Sequence, residues 1–282
     1  MLPMFREFFR FGSICFRVET PDPLEPSRVC APFASAEGDV CHTIYVEYHA
    51  SLPTAPPDAS DNGTTYRWQR GSARYTLNVY ADKPFSLCVT DGDKSELWLT
   101  EQSRGQTSGF TVFAAADLFD IFAARGMLIL HSSYVLRAEG DALLFSGVSG
   151  IGKSTQAELW RRYASARVIN GDRALVDVNA GYAHGIFYSG TSRICENVSA
   201  PIRAVILPEQ AAVNRVSVPA KREAFMRILN QCAYYPWDAD SASAMTELAA
   251  RLVSSLPVLR LDCRKDEGAV TALQNELMKT GR

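Results

Sequence analysis

No part of the 282-residue sequence approaches the roughly 20 consecutive apolar residues that a transmembrane helix needs. The first 16 residues also lack the continuous apolar stretch of a signal peptide, because arginine, glutamate and glycine interrupt them. With a formal net charge of −2, the chain has no excess of positive charge of the kind that a broad nucleic-acid-binding surface needs. These absences predict a cytoplasmic protein that acts neither in a membrane nor on nucleic acid.

The seven cysteines are scattered along the chain, and no two of them are separated by only two residues. Such spacing favours neither a disulfide framework nor a structural zinc site. The composition is otherwise ordinary for a globular protein, since 47% of the residues are apolar and 21% are charged. We therefore expect reduced thiols in a chain long enough for one large domain or two smaller ones.

Short β-branched and aromatic segments, separated by turn residues, fill the first part of the chain. They predict a β-rich N-terminal region over residues 1–114, with a hairpin turn at Asp91-Gly92-Asp93 and a last strand at Phe110 to Phe113. Over residues 115–282, strand and helix patterns alternate, which predicts an α/β domain. Within this domain His184 falls in a predicted turn.

The segment Gly147-Val-Ser-Gly-Ile-Gly-Lys-Ser154 has the glycines, the lysine and the serine of a phosphate-binding P-loop at their required positions. An apolar strand, Ala142 to Phe145, precedes it, and a helical pattern from Ser154 to Tyr163 follows it. In such a loop the backbone N–H groups point inward and the positive end of the helix faces the anion. The segment therefore predicts that the chain binds ATP.

The chemistry of the P-loop assigns a role to each of its side chains. We expect Lys153 to contact the β- and γ-phosphates and the Ser154 hydroxyl to ligand Mg²⁺, which prefers oxygen ligands. The predicted nucleotide-binding residues are Gly147, Ser149, Gly150, Ile151, Gly152, Lys153, Ser154 and Thr155.

Two carboxylates that follow apolar strands are candidates for the second protein ligand of Mg²⁺. Asp172 comes only 18 residues after Ser154. That distance leaves room for one helix and one returning strand, so we expect this strand to lie beside the P-loop strand. Glu209, followed by Gln210, ends the apolar segment Ala204 to Pro208 and is the alternative. The Asn-Gly-Asp sequence that contains Asp172 is also typical of a simple turn.

Three segments together resemble HPr kinase/phosphorylase, a bacterial family whose P-loop is related to that of phosphoenolpyruvate carboxykinase. They are His131-Ser-Ser-Tyr-Val135, the P-loop and Val168-Ile-Asn-Gly-Asp172, and the resemblance covers roughly residues 127–265. In that family a histidine opens the strand before the P-loop strand, and a pair of aspartates ends the strand after it. The resemblance implies an α/β kinase fold with a mixed sheet, ATP and Mg²⁺ as cofactors, and transfer of the γ-phosphoryl group to a hydroxyl.

The same resemblance implies catalytic roles for individual residues. Asp172 is expected to be the general base and a ligand of Mg²⁺, and Lys153 to neutralise the transferred group. His131 is expected to contact the γ-phosphate or to orient Asp172. Arg173 or Arg193 is a candidate for stabilising the transferring phosphoryl group, although an ordinary surface role is the alternative for each.

Two departures from the family pattern affect the substrate. Gly171 stands where the family has the first aspartate of the pair, and Thr155 stands where bifunctional members usually have glutamate. These departures argue against phosphorylase activity and against HPr as the substrate. The acceptor is then a hydroxyl of a protein, a peptide or a small molecule, with the N-terminal region as its candidate recognition element. The family also implies a homo-oligomer.

Two further functions stay open at this point. One is an ATPase or nucleotide switch that uses Glu209 as its acidic residue. The other is a nucleotide-binding module without catalysis, which the glycine at position 171 favours.

Overall fold

The computed structural model describes residues 4–279, which divide into two compact units. The N-terminal unit comprises residues 4–121 and 235–242, and the C-terminal unit comprises residues 122–234 and 243–279. The architecture is mixed α and β, as the sequence predicts, with a large sheet in the N-terminal unit and a mixed sheet in the C-terminal unit. Among the described residues, no helix combines the length and the apolarity that a membrane crossing needs. No disulfide joins any of the seven cysteines, all of which lie in the described part.

The N-terminal unit is built on one sheet of short strands. These are β1 (Phe5–Phe11), β2 (Ile14–Thr20), β3 (Ala34–Ser35), β4 (His42–His49), β5 (Ser60–Asp61), β6 (Thr65–Arg70), β7 (Ala73–Tyr80), β8 (Lys83–Asp91) and β9 (Lys94–Thr100). Their order in the sheet is β3-β1-β2-β4-β9-β8-β7-β6-β5, with parallel pairing only where β4 meets β2 and β9. The hairpin turn predicted at Asp91-Gly92-Asp93 is confirmed, since it joins β8 to β9 and Gly92 has a φ of 59°.

The segment Phe110 to Phe113 is helical, so the strand predicted there is wrong. Helix α1 (Gly109–Ala115) begins after Ser108, whose hydroxyl oxygen accepts a hydrogen bond from the Thr111 backbone N–H at 3.3 Å. The Thr111 hydroxyl accepts in return from the Ser108 backbone N–H at 3.4 Å, which completes a capping box. This cap and the burial of one helix face prevail over the strand propensity of the aromatic and β-branched residues.

A charged cluster is buried inside the N-terminal unit. The guanidinium of Arg67, which is fully buried, lies 3.1 Å from the Asp117 carboxylate and 2.5 Å from that of Asp120. Asp238 lies 3.3 Å away, and the Tyr235 ring centre is 4.0 Å from the guanidinium carbon. Burial, together with the like charge of Asp120, raises the pKa of Asp117 to about 6, although Arg67 opposes this rise. The segment that carries Asp238 and Tyr235 is thereby held in the unit by buried charge.

Replacement of Arg67 by alanine is expected to lower the free energy of unfolding by about 3–5 kcal/mol, because it leaves buried carboxylates without their counter-charge. Arg70→Ala is the matched control, since Arg70 pairs with Asp58 at the solvent-exposed surface, where such pairs contribute little. Urea denaturation followed by circular dichroism measures both variants. Equal midpoints for the two would contradict a stabilising role of the buried cluster.

The C-terminal unit alternates strands and helices. Its elements are β10 (Met127–Leu136), β11 (Ala142–Ser146), α3 (Lys153–Tyr163), β12 (Arg167–Asn170), β13 (Arg173–Asp177), β14 (Tyr182–His184), β15 (Ser199–Gln210), β16 (Arg215–Ser217), α4 (Lys221–Leu229), β17 (Val258–Cys263) and α6 (Glu267–Lys279). Two more helices, α2 (Leu118–Ala123) and α5 (Ala239–Ser255), belong partly to each unit.

The strands of the C-terminal unit form a sheet in the order β11-β10-β13-β14-β15-β17-β16. Since β15 also pairs with β11 in parallel, five of these strands form a closed ring. One apolar core packs α4 and α5 against the strands, and a second core packs α3 and α6 against them. His184 ends β14 and pairs with Ser199 of β15, so the turn predicted around it is wrong. The pairing of β14 with β15 joins residues that are distant in sequence, and local turn patterns cannot predict such a pairing.

The strand before Asp172 does not lie beside the P-loop strand, contrary to the prediction. Strand β10 lies between them, because it pairs with β11 along one edge and with β12 and β13 along the other. The ten residues of β10 are enough to pair with strands on both edges. His131 lies opposite Arg173 of β13, and Ser132 lies opposite Ser146 of β11. The strand that carries His131 is therefore the one that separates the loop from Asp172.

Candidate functional site

The glycine-rich segment after β11 forms an open loop that leads into α3. At the end of β11 the Ser146 hydroxyl donates a hydrogen bond to the carbonyl oxygen of His131 at 3.0 Å. Gly150 and Gly152 have φ values of 81° and 118°, which residues with a Cβ rarely adopt. A Cβ placed on either glycine would meet no atom within 4 Å, so the backbone conformation and not crowding favours glycine at these positions. Gln210 ties the loop to the end of β15 through a hydrogen bond from its Nε2 to the Gly150 carbonyl oxygen at 3.1 Å.

Lys153, the first residue of α3, reaches back across the loop. Its Nζ donates hydrogen bonds to the carbonyl oxygens of Gly147 at 2.8 Å and Val148 at 3.2 Å, and the residue is only 7% exposed. Burial lowers the pKa of Lys153, and the nearby Asp172 carboxylate opposes this shift. The loop therefore combines a lysine ammonium with the N-terminus of a helix, and both favour a bound phosphate.

The loop forms one wall of a polar cavity of about 250 Å³, called here the phosphate cavity. The opposite wall contains His131, the turn at Gly171 and Asp172, and residues 191–192. Six of the predicted nucleotide-binding residues line the phosphate cavity: Ser149, Gly150, Gly152, Lys153, Ser154 and Thr155. The other two, Gly147 and Ile151, line a second cavity on another side of the loop.

One buried side chain shapes the turn that carries Asp172. Asn170, at the end of β12, is completely buried, and its Oδ1 accepts hydrogen bonds from the backbone N–H groups of Asp172 at 2.9 Å and Arg173 at 3.0 Å. Its Nδ2 donates to the carbonyl oxygens of Ile186 at 2.7 Å and Tyr188 at 2.9 Å. Asn170 therefore fixes the turn that carries Asp172, and it also holds the segment at Ile186 and Tyr188, which precedes residues 190–192.

Asp172 and His131 lie next to each other in the phosphate cavity. His131 Nε2 is 3.5 Å from Asp172 Oδ1, and each side chain is about 30% exposed. Burial and the charge of Lys153 lower the pKa of His131, while Asp172 opposes the shift, so the imidazole is mainly neutral at pH 7. Arg173 Nε lies 3.4 Å from Asp172 Oδ2, and its guanidinium carbon is 5.2 Å from the Tyr188 ring centre. A carboxylate and a neutral imidazole in this position can accept the proton of a bound hydroxyl.

The segment at residues 190–192 packs tightly on this turn. A Cβ placed on Gly171 would lie 2.5 Å from the Cβ of Ser192 and closer still to its hydroxyl. A Cβ on Gly190, whose φ is 53°, would lie 2.7 Å from Asp172 Cγ. Ser192 thus occupies the space that a side chain at position 171 needs, which excludes a second aspartate there unless this segment moves.

The alternative carboxylate, Glu209, lies outside the phosphate cavity. It forms an ion pair with Arg227 at 2.7 Å, and both residues line the second cavity, whose volume is about 300 Å³. Glu209 and Gln210 continue β15 in register with β17, so the strand runs through Pro208 to Gln210. Ser154 therefore shares a cavity with Asp172 and not with Glu209.

Three residues of the site have no role in the sequence prediction: Asn170, Thr191 and Ser192. An asparagine directly before Gly-Asp, at the end of an apolar strand, is a signal for the first, although the same letters also describe an ordinary turn. Thr191 and Ser192 belong to the segment Gly190-Thr191-Ser192, which follows an aromatic stretch and shares in the family resemblance. The resemblance assigns them no role, and only the fold brings them to Asp172. Of the two candidate arginines, Arg173 contacts Asp172, whereas Arg193 is exposed, has a φ of 55° and is not part of the lining described for the phosphate cavity.

The predicted Mg²⁺ ligands Ser154 and Asp172 both line the phosphate cavity. Within residues 4–279, no group of three or more His, Cys, Asp and Glu side chains is arranged to hold a metal ion. Mg²⁺ commonly keeps several waters and binds through one or two protein groups together with phosphate oxygens. The residues present therefore fit a Mg²⁺ ion that arrives with a nucleotide, and they do not fit an all-protein metal site.

No protein-family model matches the chain, and no curated protein matches it. The likeness to HPr kinase/phosphorylase accordingly rests on the sequence segments themselves.

Asn170→Ala is expected to lower the free energy of unfolding by about 3 kcal/mol, because it leaves four buried or partly buried backbone groups without their partner. Thermal or urea denaturation measures the effect. Asn197→Ala serves as the control, since Asn197 is exposed in the same unit and should change little. A loss no larger than that of the control would contradict the role assigned to Asn170.

Gly171→Ala is expected to destabilise the protein by about 1–3 kcal/mol, because the new Cβ overlaps the Ser192 side chain. Adding Ser192→Gly to this variant should recover most of the loss, since it removes the atoms that clash. A double-mutant cycle on urea denaturation midpoints tests the coupling. Additive effects of the two substitutions would mean that Ser192 does not restrict position 171.

Proposed function

We propose that this chain is an ATP-dependent kinase of the HPr kinase and phosphoenolpyruvate carboxykinase type, which transfers a phosphoryl group to a hydroxyl. The observation that carries the proposal is that Lys153, Ser154 and Asp172 line one cavity, with His131 3.5 Å from the Asp172 carboxylate. Phosphoryl transfer requires positioning and charge neutralisation more than covalent participation of the protein. A lysine, a hydroxyl and a carboxylate around one cavity meet these requirements.

The P-loop is the proposed site for the triphosphate. The N–H groups of the loop and the Lys153 ammonium would hold the phosphates, and Ser154 and Asp172 would hold the Mg²⁺ ion. ATP supplies the phosphoryl group, and Mg²⁺ supplies part of the charge neutralisation. Because Lys153 donates to the carbonyl oxygens of Gly147 and Val148, its ammonium is held at the loop by the chain itself.

Asp172 is the proposed general base. The Asn170 side chain fixes the backbone of its turn, so the carboxylate is positioned without help from the substrate. Arg173, at 3.4 Å, is placed to neutralise part of the negative charge on this side of the cavity. His131, mainly neutral at pH 7, can donate one hydrogen bond to Asp172 or to a phosphoryl oxygen without a net charge of its own.

A switch or ATPase that uses Glu209 has less support, because the Glu209 carboxylate is paired with Arg227 in the second cavity. A module without catalysis was suggested by Gly171, and the packing of Ser192 supplies a steric reason for that glycine which does not involve loss of activity. The acceptor remains a hydroxyl of a protein, a peptide or a small molecule. Recognition by the N-terminal region and assembly into a homo-oligomer are further parts of the proposal.

Asp172→Asn is expected to lower phosphoryl transfer by about 10²–10⁴-fold, because an amide cannot accept the proton of the acceptor hydroxyl. Glu209→Gln is the matched control and should leave most of the activity. The measurement uses ATP labelled at the γ-phosphate, a pool of candidate acceptors from a cell extract, and the purified full chain. ATP affinity is measured in parallel by calorimetry, where Lys153→Ala should abolish binding.

The outcomes separate the candidate functions. Transfer that survives Asp172→Asn but is lost in Glu209→Gln would overturn the assignment of the base and favour the switch. ATP binding that persists unchanged in Lys153→Ala would contradict the proposed nucleotide site itself.

A further inference from the structure

A hydroxyl of the chain itself lies in the wall of the phosphate cavity. The Thr191 residue is exposed, and it lines the cavity together with Lys153 and Asp172. Its neighbour Gly190 packs so closely on Asp172 that a Cβ there would lie 2.7 Å from the carboxylate carbon. Thr191 is therefore held beside the carboxylate that serves as base in the proposed function.

The two hydroxyls of this wall differ in availability. The Ser192 hydroxyl donates to the Ser189 carbonyl oxygen at 2.7 Å and accepts from the Ile194 N–H at 3.2 Å. For the Thr191 hydroxyl, the described part of the chain provides no hydrogen-bond partner. The remaining cavity hydroxyls, on Ser149, Ser154 and Thr155, belong to the P-loop wall, which would be covered by the phosphates. Thr191 is thus the hydroxyl of this chain best placed to react.

We propose that the chain phosphorylates its own Thr191, an inference that rests on the proposed kinase function. In this step Thr191 Oγ1 forms a bond to the γ-phosphorus of ATP, and the bond from that phosphorus to the β–γ bridging oxygen breaks. ADP leaves with the electron pair of the broken bond, and the Thr191 proton passes to the Asp172 carboxylate. Mg²⁺, which the proposed function already requires, is the only other component.

The product has a predictable effect on the cavity. Phosphothreonine carries a charge of about −1.5 to −2 and three acceptor oxygens. Lys153 interacts electrostatically with Asp172, and Arg173 pairs with it at 3.4 Å, so a phosphate on Thr191 would compete with the nucleotide phosphates for these two cations. Each chain is then modified once, and the modified chain binds ATP more weakly than the unmodified one.

The test incubates the purified full chain with Mg²⁺ and γ-labelled ATP, without any added acceptor, and maps the label by mass spectrometry. Label is expected on Thr191, with a first-order rate constant that does not depend on protein concentration. Thr191→Val should lose the label, and Thr191→Ser should restore it at position 191. Thr271→Val is the matched control, because Thr271 is an exposed threonine on α6 remote in sequence from the cavity segments, and it should keep the label.

ADP formation is measured on the same samples, and transfer to acceptors is measured on parallel samples to which the cell extract is added. Transfer to those acceptors with no label on Thr191 would overturn the self-phosphorylation and leave the proposed kinase standing. Label on other residues only, or a rate constant proportional to protein concentration, would also overturn it. A chain that acquires no label and transfers no phosphoryl group to any extract acceptor would overturn both proposals.

Discussion

The arrangement of the site depends on the side chain of Asn170. Its amide is buried and uses both ends, accepting from the N–H groups of Asp172 and Arg173 and donating to the carbonyl oxygens of Ile186 and Tyr188. A buried amide left without partners is costly, so each of these four bonds favours the same arrangement of the turn and of the segment at Ile186 and Tyr188. The turn that carries Asp172 and the segment that approaches it from the other side are therefore fixed by one group.

The topology of the sheet explains why distant residues meet at this turn. Strand β10 separates the P-loop strand from β12 and β13, and it is held on both edges. The Ser132 N–H donates to the Asp172 carbonyl oxygen at 2.9 Å, and the Ser146 hydroxyl donates to the carbonyl oxygen of His131 at 3.0 Å. His131 therefore lies between the loop and Asp172 because its strand lies between theirs, and the contact does not depend on a flexible segment.

Much of the C-terminal unit could be predicted from sequence, because its elements are long and periodic. Strand β10 and the strand–loop–helix context of the P-loop both follow from local patterns of this kind. The sequence-based predictions of secondary structure are wrong where a side-chain cap or a pairing with a residue distant in sequence prevails over the local propensity. The capping box at Ser108 converted the expected strand at Phe110 to Phe113 into a helix, and pairing with Ser199 placed His184 in a strand. The predicted pairing of the strand before Asp172 with the P-loop strand is wrong for a similar reason. Local sequence patterns do not indicate that a third strand, β10, lies between these two.

The close packing at residues 190–192 gives Gly171 a physical meaning that sequence alone could not supply. A missing carboxylate suggests lost catalysis when position 171 is considered by itself. In the structure, the Ser192 side chain occupies the space that a side chain at position 171 would need. Gly190 packs against Asp172 in the same segment. A Cβ at position 190 would overlap the Asp172 side chain, and the φ of 53° also favours glycine there. Residues 190–192 therefore pack against Asp172 and leave no space for a carboxylate at position 171. A site built in this way brings its own wall close to Asp172, because Thr191 and Ser192 line the same cavity as the carboxylate.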